Sequence, residues 1–592
     1  MNRSLSGVLV ASALAAAAVG FQACSPAPAP TKPAATTARP FNVVEATIPQ
    51  MQKALADGRV TSHELVVQYL ARIGLYEDKL HAAITVNPNA IKDADERDRE
   101  RAEGHVRGPL QGIPIALKDN ILTTEMPTTG GALAFYGYTP PYEATLVKNL
   151  EAAGAVIIAK AGMSELANWV AGFPTPMPGD YNAVGGQGYN PYDPRMDPRA
   201  ADRRPALSPA GSSSGIGTSA NLWAANIGSE TSGSILGPSN ATMLAAIKPT
   251  VGRVSRWGVI PITEDQDTAG PMAKSVAGAA ILLGAMESSN PDANDPETSR
   301  CTAPPNHDYT VYLKADGLKG ARIGIPRAFF YDAVAVPGSN QQRGGLDAAR
   351  AKVMADAIAV LKQQGAVIVD PANIPSIMEK DPKKNFMLWN QCSGADHAKG
   401  KDQDCSVVLK YGMKRDFNTF LATLGPTAPV KTLTELREWN LAHQQADAIR
   451  YGQSELDISD QMDVVKDKAR YEADRAKDIA LAGTNGIDAV MKEYKLDAIL
   501  FPGSSGAGIE AKPGYPTVIV PFGMVPNDPT VSRFFFRPGA PKPKPFPPGF
   551  DAKPAPFGVS FSGMACSEPR LITLAYAFEQ ATHKRVPPPG AP

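Results

Sequence analysis

The chain runs to 592 residues, enough for one large α/β domain or a few smaller ones. Hydrophobic residues make up 43% and charged residues 20%, the ordinary balance of a soluble globular protein. Lysine plus arginine (59) equals aspartate plus glutamate (59), so the formal net charge is zero and gives no electrostatic reason to expect nucleic acid or an acidic polymer as partner.

The N-terminus reads as an export signal. Arg3 precedes an apolar run over 5–19 that is too short and too rich in Ala and Gly for a membrane span, and residues 1–23 fit a secretory signal peptide. Cys24 follows Gly20-Phe21-Gln22-Ala23, a form close to the cleavage site of bacterial lipoproteins, although Phe21 and Gln22 depart from it. Cleavage there makes Cys24 a lipid anchor; ordinary cleavage nearby and an uncleaved anchor are the alternatives. Residues 24–40 form a Pro/Ala/Thr-rich tether that cannot bury a core. The expected location is outside the cytoplasm, in the periplasm, with or without the anchor.

The folded part spans 41–587. Residues 47–57 read as a helix stopped by Gly58, and Thr61-Ser62-His63-Glu64 has the capping-box form that opens a second helix to about 76. The Ile-rich run 112–117 suits a buried strand, 143–153 a helix stopped by Gly154, and 155–159 the next strand. Helix, glycine stop and apolar strand in that order are the unit of an α/β sheet. Residues 171–209, rich in Gly, Pro, Tyr and Arg, read as a long loop. Next come a helix over 216–225, extended segments at 244–248 and 254–260, and an apolar helix over 275–286. From about 292 to 480 the chain is more polar and helical. Two buried strands at 497–501 and 517–520, a Pro/Lys/Gly loop over 535–556 and an amphipathic helix over 569–582 complete it.

Four cysteines lie in this part: Cys301, Cys392, Cys405 and Cys566. None forms a CxxC pair or a His/Cys cluster with zinc spacing, so no metal is expected. Cys392 and Cys405 can pair across a Gly- and Lys-rich loop in an oxidising compartment; four unpaired thiols are the alternative, and spacing does not decide.

The densest chemical signal lies between Gly211 and Pro271. Gly211-Ser212-Ser213-Ser214-Gly215 and Gly228-Ser229-Glu230-Thr231-Ser232-Gly233-Ser234 are built of small residues, which let backbone N–H groups approach a ligand closely. A serine there needs a base. Gly211 to Gly215 satisfies G-x-S-x-G, the nucleophile elbow of an esterase-type α/β-hydrolase, but that elbow requires a strand before the serine and an Asp and a His after it. The preceding residues read as loop, and His307, His397, His443 and His583 sit in polar surroundings. The other base is Lys118, directly after the apolar run Ile113-Pro114-Ile115-Ala116-Leu117, where partial desolvation lowers a lysine's pKa. Taken alone, a lysine there more often snorkels to solvent.

Gly112-Ile113-Pro114-Ile115-Ala116-Leu117-Lys118-Asp119-Asn120, the Gly/Ser loop, Gly228 to Ser234 and Asp267-Thr268-Ala269-Gly270-Pro271-Met272 resemble, in order, the successive blocks of the amidase signature family. The resemblance implies one α/β/α domain with a large mixed sheet flanked by helices, elaborated by helices over about 292–480. It implies hydrolysis of a carboxamide through an acyl-enzyme, with no cofactor or metal. Lys118 matches the family's catalytic lysine, Ser213 its bridging serine, after a cis Ser212–Ser213 bond, and Ser234 its nucleophile. Backbone N–H groups of Thr231, Ser232, Gly233 and Ser234 match its oxyanion hole. Ser232 and the 266–271 block resemble bacterial peptide-amidase-like members, so peptide amides and small aliphatic or aryl amides are the expected substrates.

Four departures from the family pattern stand out. Only 21 residues separate Ser213 from Ser234, two or three fewer than usual, which leaves Ser212 and Ser214 as alternative bridging residues. Gly162 stands where relatives carry Asn, Leu236 where many carry Arg, and the loop at about 196–207 is long. The competing function is a catalytically weak exported lipoprotein that keeps the fold for binding. Asp267 reads as a structural hydrogen-bonding residue, Ser164 and Glu165 as a helix start, and Trp169, Phe173 and Met177 as core residues before pocket residues.

Overall fold

A computed structural model describes residues 40–210, 214–531 and 544–591. Its centre is an eleven-stranded mixed sheet flanked by helices. The strands, in chain order, are β1 (Ala83–Val86), β2 (Pro114–Lys118), β3 (Val156–Ala161), β4 (Ala225–Glu230), β5 (Ala245–Lys248), β6 (Thr268–Ala273), β7 (Arg322–Gly324), β8 (Val367–Val369), β9 (Ala498–Pro502), β10 (Thr517–Val525) and β11 (Ala555–Ser562). Their order across the sheet is β1-β3-β2-β4-β6-β5-β10-β11-β9-β7-β8. β2 runs parallel to both neighbours, β3 and β4, whereas β6 runs antiparallel to β4 and to β5. Every residue of β2, β3 and β4 is buried, as strands covered on both faces must be.

The N-terminal helices follow from their caps. Helix α1 (Ile48–Ala56) starts on Thr47 and α2 (Ser62–Leu80) on Thr61, each with both halves of a capping box. Helix α3 (Thr145–Ala152) leads through Gly154, whose φ of +94° ends it, into β3. Helix α4 (Ser214–Ser219) precedes β4, and α5 (Leu236–Ala241) follows it. Helix α6 (Val276–Met286) starts on Ser275, whose hydroxyl accepts the Gly278 N–H. The middle segment contributes α7 (Val408–Thr423) and α8 (Lys468–Ile479), and α9 (Glu568–Thr582) closes the chain.

Several expectations are corrected. The helix expected over 216–225 is short, and β4 takes the end of that stretch and the first three residues of the Gly228–Ser234 block. Residues 254–260 are turns with one isolated bridge, Ile121 to Val259, rather than a strand. Gly258 explains this, because its φ of +80° and its closeness to the Ala144 backbone break any extended run. Residues 555 and 556, expected as loop, begin β11. A short 3-10 helix (Glu165–Asn168) does start after Ser164, but the Ser164 hydroxyl donates to the Gly179 carbonyl rather than capping it, and Leu166, Ala167 and Asn168 all have positive φ.

All four cysteines are paired. Cys392 joins Cys405, one of the two outcomes the spacing left open, and Cys301 joins Cys566 over 265 residues, a pairing that nothing in the sequence suggests.

Candidate active site

The site assembles on one edge of the sheet, where β2 and β4 end and β6 begins. Because β2 and β4 are parallel, with Leu117 opposite Ile227, Lys118 and Ser229 emerge side by side. Because β6 is antiparallel to β4, with Thr268 opposite Glu230, Asp267 arrives at the same edge. Carboxyl ends of parallel strands are where open α/β sheets carry their ligands.

Lys118 is fully buried; it does not snorkel. Its Nζ donates to the Ser229 carbonyl at 3.0 Å and to the Ser229 hydroxyl at 3.1 Å. The Asn120 side-chain amide donates to the same hydroxyl at 2.9 Å and to the Ile260 carbonyl at 3.3 Å. Burial pulls the Lys118 pKa down to about 8, against the opposing pull of Asp267 and Glu230.

Ser234 is half-buried in the turn between β4 and α5, with Ser232 exposed beside it. Gly233 takes φ +96°, a left-handed value that its lack of Cβ permits. Glu230 holds the exit of this turn: its carboxylate accepts the Ile235 N–H at 2.7 Å and the Leu236 N–H at 2.9 Å. The Leu236 side chain is buried in an apolar cluster with Ile235, Met272 and Ile519. On the other side the Thr231 hydroxyl donates to Asp267. Asp267 also accepts the Ile262 N–H at 2.8 Å and the Thr263 N–H at 3.0 Å, the structural role expected of it. Burial raises its pKa to about 7, opposed by the Thr231 hydroxyl and the Ile262 N–H.

Ser213 and Ser212, with the cis bond expected between them, lie outside the described residues. Their described neighbours both pack on α5. A Cβ at Gly237 would come within 2.9 Å of the Ala210 carbonyl oxygen, and one at Gly215 within 3.4 Å of the Pro238 Cβ. Ala210 is itself anchored, its N–H bonding the Ser208 hydroxyl at 2.9 Å, which in turn donates to Asp180 at 2.9 Å.

The histidine-based reading fails here. Residues 206–210, ahead of Gly211, form no strand. His307 pairs with Glu287, His397 bonds Ser393, and His443 stacks on Trp439, while Ser213, the serine of that elbow, lies outside the described residues. Trp169 and Met177 belong to a buried cluster, whereas Phe173 is 39% exposed. Two participants escaped sequence reading. Ser229 is an unremarked hydroxyl inside a Gly/Ser block, and Lys160 is a second fully buried lysine, donating to Thr128 at 2.7 Å and lying 3.8 Å from Asp119. Ser229 lies inside a recognised block, and Lys160 pairs across the sheet with Leu117 of another, which was the available signal. Among the described residues, no group of three His, Cys, Asp or Glu side chains is placed to hold a metal ion.

The family model described as Amidase matches residues 64–572. A probable amidase of Arabidopsis thaliana is 31% identical over 93% of this chain and 92% of its own length. Peptide amidase from Stenotrophomonas maltophilia superposes with a TM-score of 0.74 at 33% identity, covering 93% of this chain and 99% of that one. A glutamyl-tRNA(Gln) amidotransferase component from Chloroflexus aurantiacus is 36% identical, but over only 55% of this chain and 60% of its own.

Proposed function

The chain belongs to the amidase family, a family of amide hydrolases, and on that premise we propose that it cleaves a carboxamide through an acyl-enzyme built by Lys118, Ser213 and Ser234. The carrying observation is the buried Lys118 amine, held among the described residues by Ser229 alone, at the edge where the Ser234 turn begins. A neutral amine has two N–H groups. With both given to Ser229, its lone pair is left to accept a proton. Lys118 draws that proton from Ser234 through Ser213, and Ser234 attacks the amide carbonyl. N–H groups of the 231–234 turn receive the oxyanion. Ser213 then protonates the departing amine, and water cleaves the ester.

For substrate we favour the C-terminal amide of a short peptide, with small aliphatic and aryl amides next. The support is the full-length likeness to peptide amidase, against a likeness to the transfer-RNA amidotransferase that spans about half the chain. The test is ammonia release across a panel of peptide amides and simple amides, with Ser234→Ala and Lys118→Ala beside the wild type. Loss of turnover in both variants supports the triad; a folded wild type inert to the whole panel and unlabelled by a fluorophosphonate favours the binding-protein alternative.

We further place the protein in an oxidising compartment outside the cytoplasm, with residues 1–23 removed and Cys24 lipidated. Four cysteines paired in two disulfides support this. Fatty-acid labelling in cells that is lost in Cys24→Ser is the expected result, and unlabelled cytoplasmic protein is the contrary one.

A further inference from the structure

Thr231 is gripped twice by the turn over 262–267. Its hydroxyl donates to Asp267, and its carbonyl accepts the Gln266 side-chain amide at 3.2 Å. A carbonyl oxygen can only accept, so it is the Gln266 nitrogen that faces it. The 231–232 peptide is trans, so its C=O and N–H point to opposite sides of one rigid plane. A bond that fixes the Thr231 carbonyl therefore fixes the direction of the Ser232 N–H. Among the described residues, nothing else takes the N–H groups of Ser232, Gly233 or Ser234.

Gln266 is buried, and its side-chain oxygen has no hydrogen-bond partner among the described residues. Burying an unmet acceptor is costly, and an apolar residue of the same size would fill the space without that cost. Packing alone does not account for a glutamine here.

The turn that carries Gln266 is closed on itself and braced from outside. The Gln266 and Asp267 N–H groups both donate to the Thr263 carbonyl, at 3.2 Å and 3.0 Å. Asp265 faces outward, accepting the Tyr471 hydroxyl at 2.9 Å and lying 3.2 Å from both Arg415 and Arg475. The Glu264 N–H donates to Asp416 at 2.9 Å. Arg415 and Asp416 come from α7, Tyr471 and Arg475 from α8. Tyr471 stacks on Tyr411 of α7 at 4.3 Å, and Gly412 lies so close to Thr263 that a Cβ there would meet its hydroxyl at 2.3 Å. The middle segment thus reaches the nucleophile turn through three consecutive residues, Thr263, Glu264 and Asp265.

We propose that Gln266 is a positioning residue that aims the Ser232 N–H into the oxyanion hole, and that Asp265 ties its turn to α7 and α8. This rests on the serine-lysine reading above.

Gln266→Met removes the donor at nearly constant volume, and Asp265→Asn removes the charge facing both arginines while keeping an acceptor for Tyr471. Each is assayed on a peptide amide, and against a peptide aldehyde, which adds to the nucleophile and places an oxyanion in the hole, beside the matching peptide alcohol, which does not. Gln266→Met should lower kcat about 10- to 100-fold, less than the loss of a whole oxyanion donor, with KM held within about twofold. The aldehyde should weaken by the same factor and the alcohol not at all. Asp265→Asn should repeat the pattern more weakly, and the double variant should be no worse than Gln266→Met. An unchanged kcat, or equal weakening of aldehyde and alcohol, overturns the proposal. If Gln266→Met does not fold, Asp265→Asn decides by the same two criteria. Ser234→Ala separates the two readings. If it keeps activity, the serine-lysine reading fails; if it is dead while the aldehyde still binds Gln266→Met as tightly as wild type, only the Gln266 assignment fails.

Discussion

Lys118 meets Ser229 twice, at its carbonyl and its hydroxyl, and among the described residues no carboxylate comes within ion-pair distance of it. A buried lysine without a counterion loses its proton more easily than one in water, and its pKa falls to about 8. If neutral Lys118 is the base, kcat/KM rises with pH and levels off above about 8. Lys118→Arg stays charged over that range and should be inactive throughout. A wild-type profile flat from pH 6 to 10 would remove Lys118 from the role.

The same burial costs stability. Below pH 8 the amine is charged in both folded and unfolded chains, and the full penalty applies. Between about 8 and the ordinary value of 10.5 only the unfolded chain binds the proton, so the penalty shrinks as pH rises, and above 10.5 it is gone. Lys118→Met should therefore be more stable than wild type at pH 7, by roughly 1–3 kcal/mol after the lost bonds to Ser229 are counted. Urea midpoints at pH 7 and pH 10.5 check this: the gain should be smaller at the higher pH.

Three adjacent serines compete for the bridging role, and the short spacing to Ser234 keeps the question open at the level of sequence. Alanine at each position separates them. Ser213→Ala should lose at least about 1000-fold in kcat, while Ser212→Ala and Ser214→Ala lose less than about tenfold, because only the relay residue acts as a unit with the other two. The largest loss at Ser212 or Ser214 instead would show that the register has shifted.

Much of the fold was legible because its signals are local. The capping box at Thr61, the glycine stop at Gly154 and the apolar run ending at Lys118 each need only neighbouring residues. What escaped depends on partners far along the chain. The Gly228-Ser229-Glu230 stretch has poor strand propensity and reads as loop, yet it is extended because it pairs with β6, Gly228 opposite Gly270 and Ser229 opposite Ala269. The apolar residues of 254–260 imitate a strand, but Arg256 is drawn aside to Asp295 at 2.8 Å and Gly258 turns the chain. The site divides the same way. Lys118 and Ser234 stand out in their blocks, whereas the contact of Gln266 with Thr231 joins residues 35 apart and leaves no mark in either segment.

Gly217 is the tightest point of α4. A Cβ there would lie 2.0 Å from the Trp223 ring, and that ring is held by its Nε1–H to Thr218 at 2.9 Å, whose hydroxyl continues to Asn226 at 2.6 Å. Gly217→Ala must displace either the ring or α4, which packs on α5. It should cost about 1–3 kcal/mol and lower kcat with it. A melting temperature equal to that of wild type would mean the helix has room that the packing denies.

The two disulfides differ in what they cross-link. Cys392 and Cys405 are 13 residues apart, whereas Cys301 and Cys566 are 265 apart. Loop-closure entropy grows with the logarithm of the separation, so the short bridge is worth about 3 kcal/mol and the long one about 5–6. The pairings are read by peptide mapping under non-reducing conditions, and the energies by denaturant midpoints of Cys405→Ser and Cys566→Ser. Their effects on catalysis should differ too. Cys392 and Cys405 pack in one cluster with Tyr411 and Tyr471, the stacked pair that braces Asp265. Cys405→Ser should therefore lower kcat at temperatures where the protein is still fully folded. Cys566→Ser, whose residue meets Thr250 and Arg300 instead, should lower stability more and kcat less. The reverse ranking in kcat would sever the link from the middle segment to the nucleophile turn.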